Sequence, residues 1–238
     1  MIKKVLDKIK NLHRRIILNG LKVLPRESVR YFGTEYGGFF VDISLLDEAK
    51  CAVIYSFGIG EDISFSEGLL NECNCEIYAF DPTPKSIEFI KKHPINEDKR
   101  FHFYNIGLSA EDGEASFHLP QNESYVSGSL EQYSGVKNDG ITVNVRSLKT
   151  IMKDNGHDMI DLLKMDIEGS EFSVFDQLSA EDYRFNQLCI EVHDRFFKRG
   201  EKKLKKLFKH LCDNGYMCIA KSSNLEELTF VRKEILHK

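Results

Sequence analysis

The sequence predicts an α/β fold built on an open, doubly wound sheet. Three observations carry this. An apolar run from Ala52 to Phe57 breaks into Gly58-Ile59-Gly60. A short amphipathic segment, Phe65 to Cys73, follows the turn. A second apolar run, Glu76 to Phe80, ends on Asp81. Strand, glycine turn, helix, strand and acid, in that order, make the first half of a nucleotide-type pocket at the carboxyl ends of the strands. Glycines at the first turn let the backbone come close to a ligand. The closing acid offers acceptors to a ribose diol.

Ile63 stands where the pattern G-x-G-x-x-G places its third glycine. That glycine helps a helix N-terminus bind a pyrophosphate. Its loss argues against NAD and for a nucleoside ligand without phosphates, of which S-adenosylmethionine (SAM) is the obvious candidate.

At 238 residues the chain suits one α/β domain with modest additions. Its apolar and charged fractions are ordinary for a soluble globular protein. The net charge of -4 gives no global case for a nucleic-acid partner. The cysteines, at 51, 73, 75, 189, 212 and 218, form no C-x-x-C and mostly lie in apolar runs. They read as reduced core thiols of a cytoplasmic protein. No apolar run is long enough for a membrane span. The N-terminus alternates Lys with apolar residues and has no signal-peptide core.

Residues 1–30 are expected to be a helix and linker, and 31–238 the main domain. Ile2, Val5, Leu6, Ile9, Leu12 and Ile16 recur at helical spacing, with Lys3, Lys4, Lys8, Lys10, Arg14 and Arg15 between them. The stripe predicts docking on the domain or on a second copy in a homodimer. A basic amphipathic helix also fits an anionic membrane surface. Tyr36-Gly37-Gly38 is a turn beside aromatics, placed to fold over the open edge of the cofactor.

Ser64-Phe65-Ser66-Glu67 has capping-box spacing and starts the first helix. Thr83 with Pro84 caps a second helix to about Lys92. Phe101 to Ser109 predicts a third strand, and Glu114 to Leu119 a shorter one. Residues 121–140 are rich in Ser, Gly and Asn, with Tyr125, Ser127, Ser129 and Tyr133 among them. A connection of this length reads as a substrate cap. Thr142 to Val145 returns as a short strand, and Ser147 caps a helix to about Asp154. Ile160 to Ile167 is the fourth core strand, with a helix after it to about Leu178. Gln187 to His193 is the fifth strand. Glu201 to Asn214 is a basic amphipathic helix with Leu204, Leu207, Phe208 and Leu211 inward. Tyr216 to Ala220 and Leu228 to Val231 close the chain as a hairpin.

The chain resembles the FkbM family of SAM-dependent methyltransferases from about Phe32 to the C-terminus. The residues that carry this are Tyr36-Gly37-Gly38, Tyr55-Ser56-Phe57-Gly58-Ile59-Gly60, Ala79-Phe80-Asp81-Pro82 and Ile190-Glu191-Val192-His193. The most specific segment is Leu163-Lys164-Met165-Asp166-Ile167-Glu168-Gly169-Ser170-Glu171. The resemblance implies a class I, Rossmann-like sheet of seven strands with the last antiparallel. It also implies SAM as cofactor and methylation of a hydroxyl on a sugar, glycan or small natural product. Gly58, Gly60 and Asp81 match the family's cofactor turn and ribose acid. The expected cofactor site is Tyr36, Ser56, Gly58, Gly60, Asp81, Ser109 and Asp166. Ser56 replaces the acid that many SAM enzymes carry before the glycines, so the methionyl ammonium needs another contact.

A hydroxyl nucleophile needs its proton removed. Asp166 and Glu168 are two apart, as are Glu191 and His193, and residues two apart on a strand share a face. If the two strands are neighbours, these four groups converge. His193, Asp166 and Glu191 are therefore the candidate catalytic residues. Lys164 shares a face with Asp166 and predicts an ion pair. The four groups also suit Mg²⁺ or Mn²⁺, but their spacing is not diagnostic and no metal is assigned. A SAM-binding scaffold without catalysis is the alternative function.

Overall fold

The computed structural model describes residues 12–46, 50–121, 128–131, 133 and 135–236. A short antiparallel pair, β1 (Val29–Phe32) and β2 (Phe39–Asp42), precedes the main sheet. That sheet is formed by β3 (Ala52–Phe57), β4 (Cys75–Phe80), β5 (Phe101–Tyr104), β9 (Ile160–Met165), β10 (Phe185–Glu191), β11 (Tyr216–Lys221) and β12 (Glu227–Arg232). Its order is β11-β12-β10-β9-β3-β4-β5. β3 is central, parallel to β4 on one side and β9 on the other. β12 runs antiparallel to both β10 and β11. This is the seven-stranded sheet with an antiparallel last strand that the resemblance implies.

Strand alternation distributes the core over both faces of the sheet. Ile54, Ile77, Leu162 and Cys189 point to one face, with Phe65, Leu69 and Leu70 of helix α1 (Ser64–Glu72) and Ile90 of α2 (Pro84–Lys92). Tyr55, Phe57, Leu163, Met165, Leu188 and Ile190 point to the other. There they meet α3 (Leu148–Asp154), α4 (Glu171–Gln177) and α5 (Gly200–Asp213). Both faces are covered, so the strands are almost continuously apolar.

Several expected elements are redrawn. The run Phe101 to Ser109 is two strands, β5 and β6 (Gly107–Leu108). The Ile106 N–H bonds back to the Tyr104 carbonyl at 2.9 Å, and β6 then joins a separate three-stranded sheet. That sheet is completed by β7 (Gly113–Pro120) and β8 (Val136–Arg146) in the order β6-β8-β7. β8 is far longer than Thr142 to Val145, because β7 supplies a partner along most of its length. The end of the proposed cap is therefore strand. Tyr125 and Ser127 lie outside the described residues.

The capping box is not formed. Ile63 occupies the N-cap of α1 without a side-chain bond, and the Asp62 carboxylate accepts the Ser64 N–H instead at 2.9 Å. Thr83 and Ser147 do cap α2 and α3 as expected. Of the six cysteines, all free, Cys51 and Cys212 are exposed rather than in the core.

Residues 12–20 are helical, and Ile2 to Ile9 lie outside the described residues. Leu12 and Ile16 are each 59% exposed, while Leu18 is buried in the core. Arg14, one of the basic residues between the apolar positions, turns inward and pairs with Asp194 at 2.9 Å. Among the described residues no helix is long and apolar enough to cross a membrane.

In α5, Leu204, Leu207, Phe208 and Leu211 are buried, and Lys205 is exposed. Leu204→Ala is expected to lower the unfolding free energy by about 2–5 kcal/mol. Lys205→Ala is expected to change it by less than about 0.5 kcal/mol. Urea unfolding of the two variants checks this; equal losses would mean the helix is not held by its apolar face.

Candidate active site

A cleft open to solvent lies at the carboxyl ends of β3, β4 and β9. The β3 turn forms its floor. Gly58 and Gly60 have φ of 79° and 57°, the left-handed region that favours glycine. A Cβ on Gly58 would stand 1.7 Å from the Asp166 carbonyl oxygen. The turn is thus pressed against the end of β9. Gly58 N–H donates to the Phe80 carbonyl at 3.0 Å, and Asp166 N–H to the Phe57 carbonyl at 3.1 Å. Lys164 donates to the Gly58 carbonyl.

Asp81 is buried beneath the turn. Its Oδ2 accepts the N–H groups of Ile59 and Gly60, each at 2.9 Å. Its Oδ1 accepts the Thr83 N–H at 2.8 Å and the Thr83 hydroxyl at 2.6 Å. A carboxylate has about four acceptor positions. In this arrangement Asp81 holds the turn in shape while also lining the cavity.

The cavity places most of the expected cofactor residues together: Tyr36, Ser56, Gly58, Gly60, Asp81 and Asp166 all line it. Tyr36, 67% exposed, stands at the mouth. Ser109 is not in the lining. Its N–H donates to the Arg146 carbonyl at 3.0 Å, and Gly107 and Leu108 face the cavity instead. Gly128 and Leu130 of the proposed cap also face it. Asp62 was not foreseen as a site residue. It lines the cavity, and its carboxylate accepts from the Thr34 hydroxyl and the Ser64 N–H. Burial pushes the Asp62 pKa up, but those hydrogen bonds and nearby Lys164 outweigh it and hold it below the usual carboxylate value.

The four polar groups of β9 and β10 do converge. The strands are neighbours, with Met165 opposite Ile190, so Asp166 and Glu191 leave the sheet side by side. His193 Nε2 lies 3.2 Å from Glu191, 3.3 Å from Glu168 and 3.8 Å from Asp166. Its Nδ1 lies 3.4 Å from Glu171. Simple strand alternation does not produce this. Glu168 lies beyond the end of β9, and its φ of 51° swings it back toward the cluster. Asp166 and Glu168 line the cavity, while Glu191 and His193 stand behind them. Lys164 Nζ is 3.6 Å from Asp166, the expected ion pair.

Glu171, like Asp62, was not among the expected site residues. It is fully buried and accepts the N–H groups of Gly169 and His193, each at 2.8 Å. The only signal was its place as the second Glu of the K-x-D-x-E-G-x-E segment. Burial alone depresses the His193 pKa, but Glu171, Glu191 and Glu168 hold it well above its ordinary value. Burial raises the Asp166 carboxyl to about 7, against Lys164 and with Glu191. Burial also raises Glu191, but His193 and Arg195 bring it down to about 2.

The Methyltransferase FkbM domain family matches residues 55–218. The human protein called probable methyltransferase-like protein 24 is 26% identical over 142 residues. Its rat counterpart is 27% identical over 142 residues. Each match covers 59% of this chain and 32% of the relative, so the alignment spans about a third of those proteins. Among solved structures, Aeropyrum pernix fibrillarin with natively bound S-adenosyl-L-methionine is 10% identical, with a TM-score of 0.40. That match covers 90% of this chain and 85% of fibrillarin. M. jannaschii TYW2 in complex with AdoMet is 10% identical, with a TM-score of 0.34 and coverage of 88% and 89%.

Gly58 and Gly156 both have positive φ, but no atom of the described residues lies within 4 Å of a Cβ built on Gly156. Gly156→Ala should therefore lose only the backbone cost of about 1–2 kcal/mol. Gly58→Ala should lose more than twice as much, or not fold, because Asp166 blocks the new methyl. Denaturant titration compares them, and similar losses would contradict the tight approach of turn and strand.

Proposed function

Because the chain belongs to the FkbM methyltransferase domain family, we propose that it binds SAM in this cavity and methylates a hydroxyl oxygen. The acceptor class proposed is a sugar, glycan or small natural product. One observation carries the reading: a single cavity joins a glycine turn at one end to a cluster of acids at the other.

The residues present suit such a cofactor. Phe57, Ile59, Phe80 and Leu108 give apolar walls for an adenine ring. Asp62 puts negative charge where Ser56 supplies none, and it is the proposed contact for the methionyl ammonium. When bound, SAM supplies an electrophilic methyl group on a sulfonium. The chain's task is to align the acceptor oxygen with that group and to take its proton. Alignment in a fixed site can lower the barrier by about 7–11 kcal/mol at best. Asp166 faces the cavity and is the proposed proton acceptor. Glu191 and His193 do not reach the cavity and act as positioning residues. His193 lies close to Asp166 and Glu168 and attracts them by charge when protonated, and Glu171 holds the His193 backbone N–H.

Isothermal titration calorimetry with SAM, S-adenosylhomocysteine and NAD tests the pocket. Binding of the first two but not NAD is expected, and absence of binding by both sulfur ligands would sink the reading. Asp62→Asn is expected to weaken SAM at least about tenfold, since a hydrogen bond to a charged group contributes about 1.5–3 kcal/mol.

Transfer of labelled methyl to acceptors in cell extract tests the chemistry. Asp166→Asn should slow turnover by about 10²–10⁴-fold. Turnover equal to that of the unmodified protein would reject Asp166 as the base. SAM binding without transfer to any acceptor would favour the scaffold alternative.

A further inference from the structure

We propose that Asp166, Glu191 and His193 form a binding site for one divalent transition-metal ion, with Glu168 beside it. Their ligand atoms all lie within 4.8 Å of one another. Two atoms each about 2.1 Å from an ion stand at most about 4.2 Å apart, so small side-chain shifts complete the set. Sequence spacing gave no reason to assign a metal; the arrangement around His193 does.

His193 is fully buried, and among the described residues neither ring nitrogen has a hydrogen-bond partner. Carboxylate oxygens approach within 3.2–3.8 Å of Nε2, yet none lies along a hydrogen-bond direction. A buried polar atom left in this state is costly. A metal ion on the Nε2 lone pair resolves it. The other side of the ring fits the same reading. Glu171 Oε1 lies 3.4 Å from Nδ1 and is itself pinned by two backbone N–H groups. The Glu171 carboxylate beside Nδ1 makes no hydrogen bond to it, but its charge favours the proton on that nitrogen and leaves the Nε2 lone pair for a metal.

Charge favours a cation here as well. Asp166, Glu168, Glu191 and Glu171 surround one imidazole. The nearest cations are both shared. Lys164 is held by the Gly58 carbonyl, and Arg195 lies closer to Glu226, at 3.0 Å, than to Glu191, at 3.4 Å. Carboxylates with one imidazole suit Mn²⁺ or Fe²⁺ better than Ca²⁺, which takes oxygen ligands alone. Asp166 would link the ion to the cavity wall. There a bound ion lowers the pKa of an acceptor hydroxyl that it touches. Only that use of the ion rests on the methyl-transfer reading; its binding does not.

The test is Mn²⁺ binding to untagged, chelator-treated protein without SAM, followed by loss of the free-ion signal in electron paramagnetic resonance. One ion per chain is expected, with a raised melting temperature. Asp166→Asn and Glu171→Gln, each confirmed folded by circular dichroism, should weaken binding about ten- to hundredfold. Glu227→Gln should leave it unchanged. That control matters because Glu191, Glu226 and Glu227 form a second acidic group. No binding by the unmodified protein at millimolar Mn²⁺ would overturn the proposal. So would loss in Glu227→Gln with retention in Asp166→Asn. Because SAM is absent, either result stands apart from the fate of the SAM reading.

Discussion

Three strand ends meet at Gly58, and the cavity exists because nothing larger fits there. The turn after β3 presses against the carbonyl of Asp166 at the end of β9. It is tied at the same point to the Phe80 carbonyl of β4. A side chain at this position would push β9 away from β3. The glycine floor and the acids that leave β9 and β10 would then no longer share one space. Asp81 reinforces the joint from below by collecting the amides of Ile59 and Gly60. The ligand-facing shape of the turn is therefore set by contacts among the protein's own groups.

Behind that joint lies an unusual concentration of buried charge. Isolated carboxylates are expensive to remove from water, and buried charges persist only where they are paired. Here Glu171 is paired twice with backbone amides and faces His193, which faces three further acids. The group is spread over two strand ends and the first turn of α4, so its geometry depends on the β9–β10 register. Whether its central cation is an imidazolium or a metal ion, the arrangement places the Asp166 carboxyl, a proton acceptor, at the cavity wall.

Much of the scaffold was legible before any coordinates. β3, α2, α3, α4, α5 and the closing hairpin fall within a few residues of their expected bounds, because each has strong periodicity or a clear cap. The errors share one cause: a local signal lost to a distant partner. Phe101 to Ser109 looks like one strand, but its second half pairs with β8. Ser64 has the sequence of a cap, yet Asp62 takes the Ser64 amide and the Ser64 hydroxyl turns to the Thr34 N–H. Arg14 is just one basic residue of the N-terminal helix until Asp194, remote in sequence, is brought beside it.

The amino-acid order alone determined the α/β alternation, the glycine turn and the set of acids at two strand ends, since these follow from periodicity and residue chemistry. Tertiary structure decided how those parts are used. It turned Asp81 toward the turn, moved Ser109 out of the cavity and put Glu191 and His193 behind Asp166. It also brought Glu171, whose only signal was its place in the segment Leu163 to Glu171, into contact with His193. Strand register and the left-handed bend at Glu168 fix these relations. Both arise from packing between segments far apart in the chain, which no local pattern encodes.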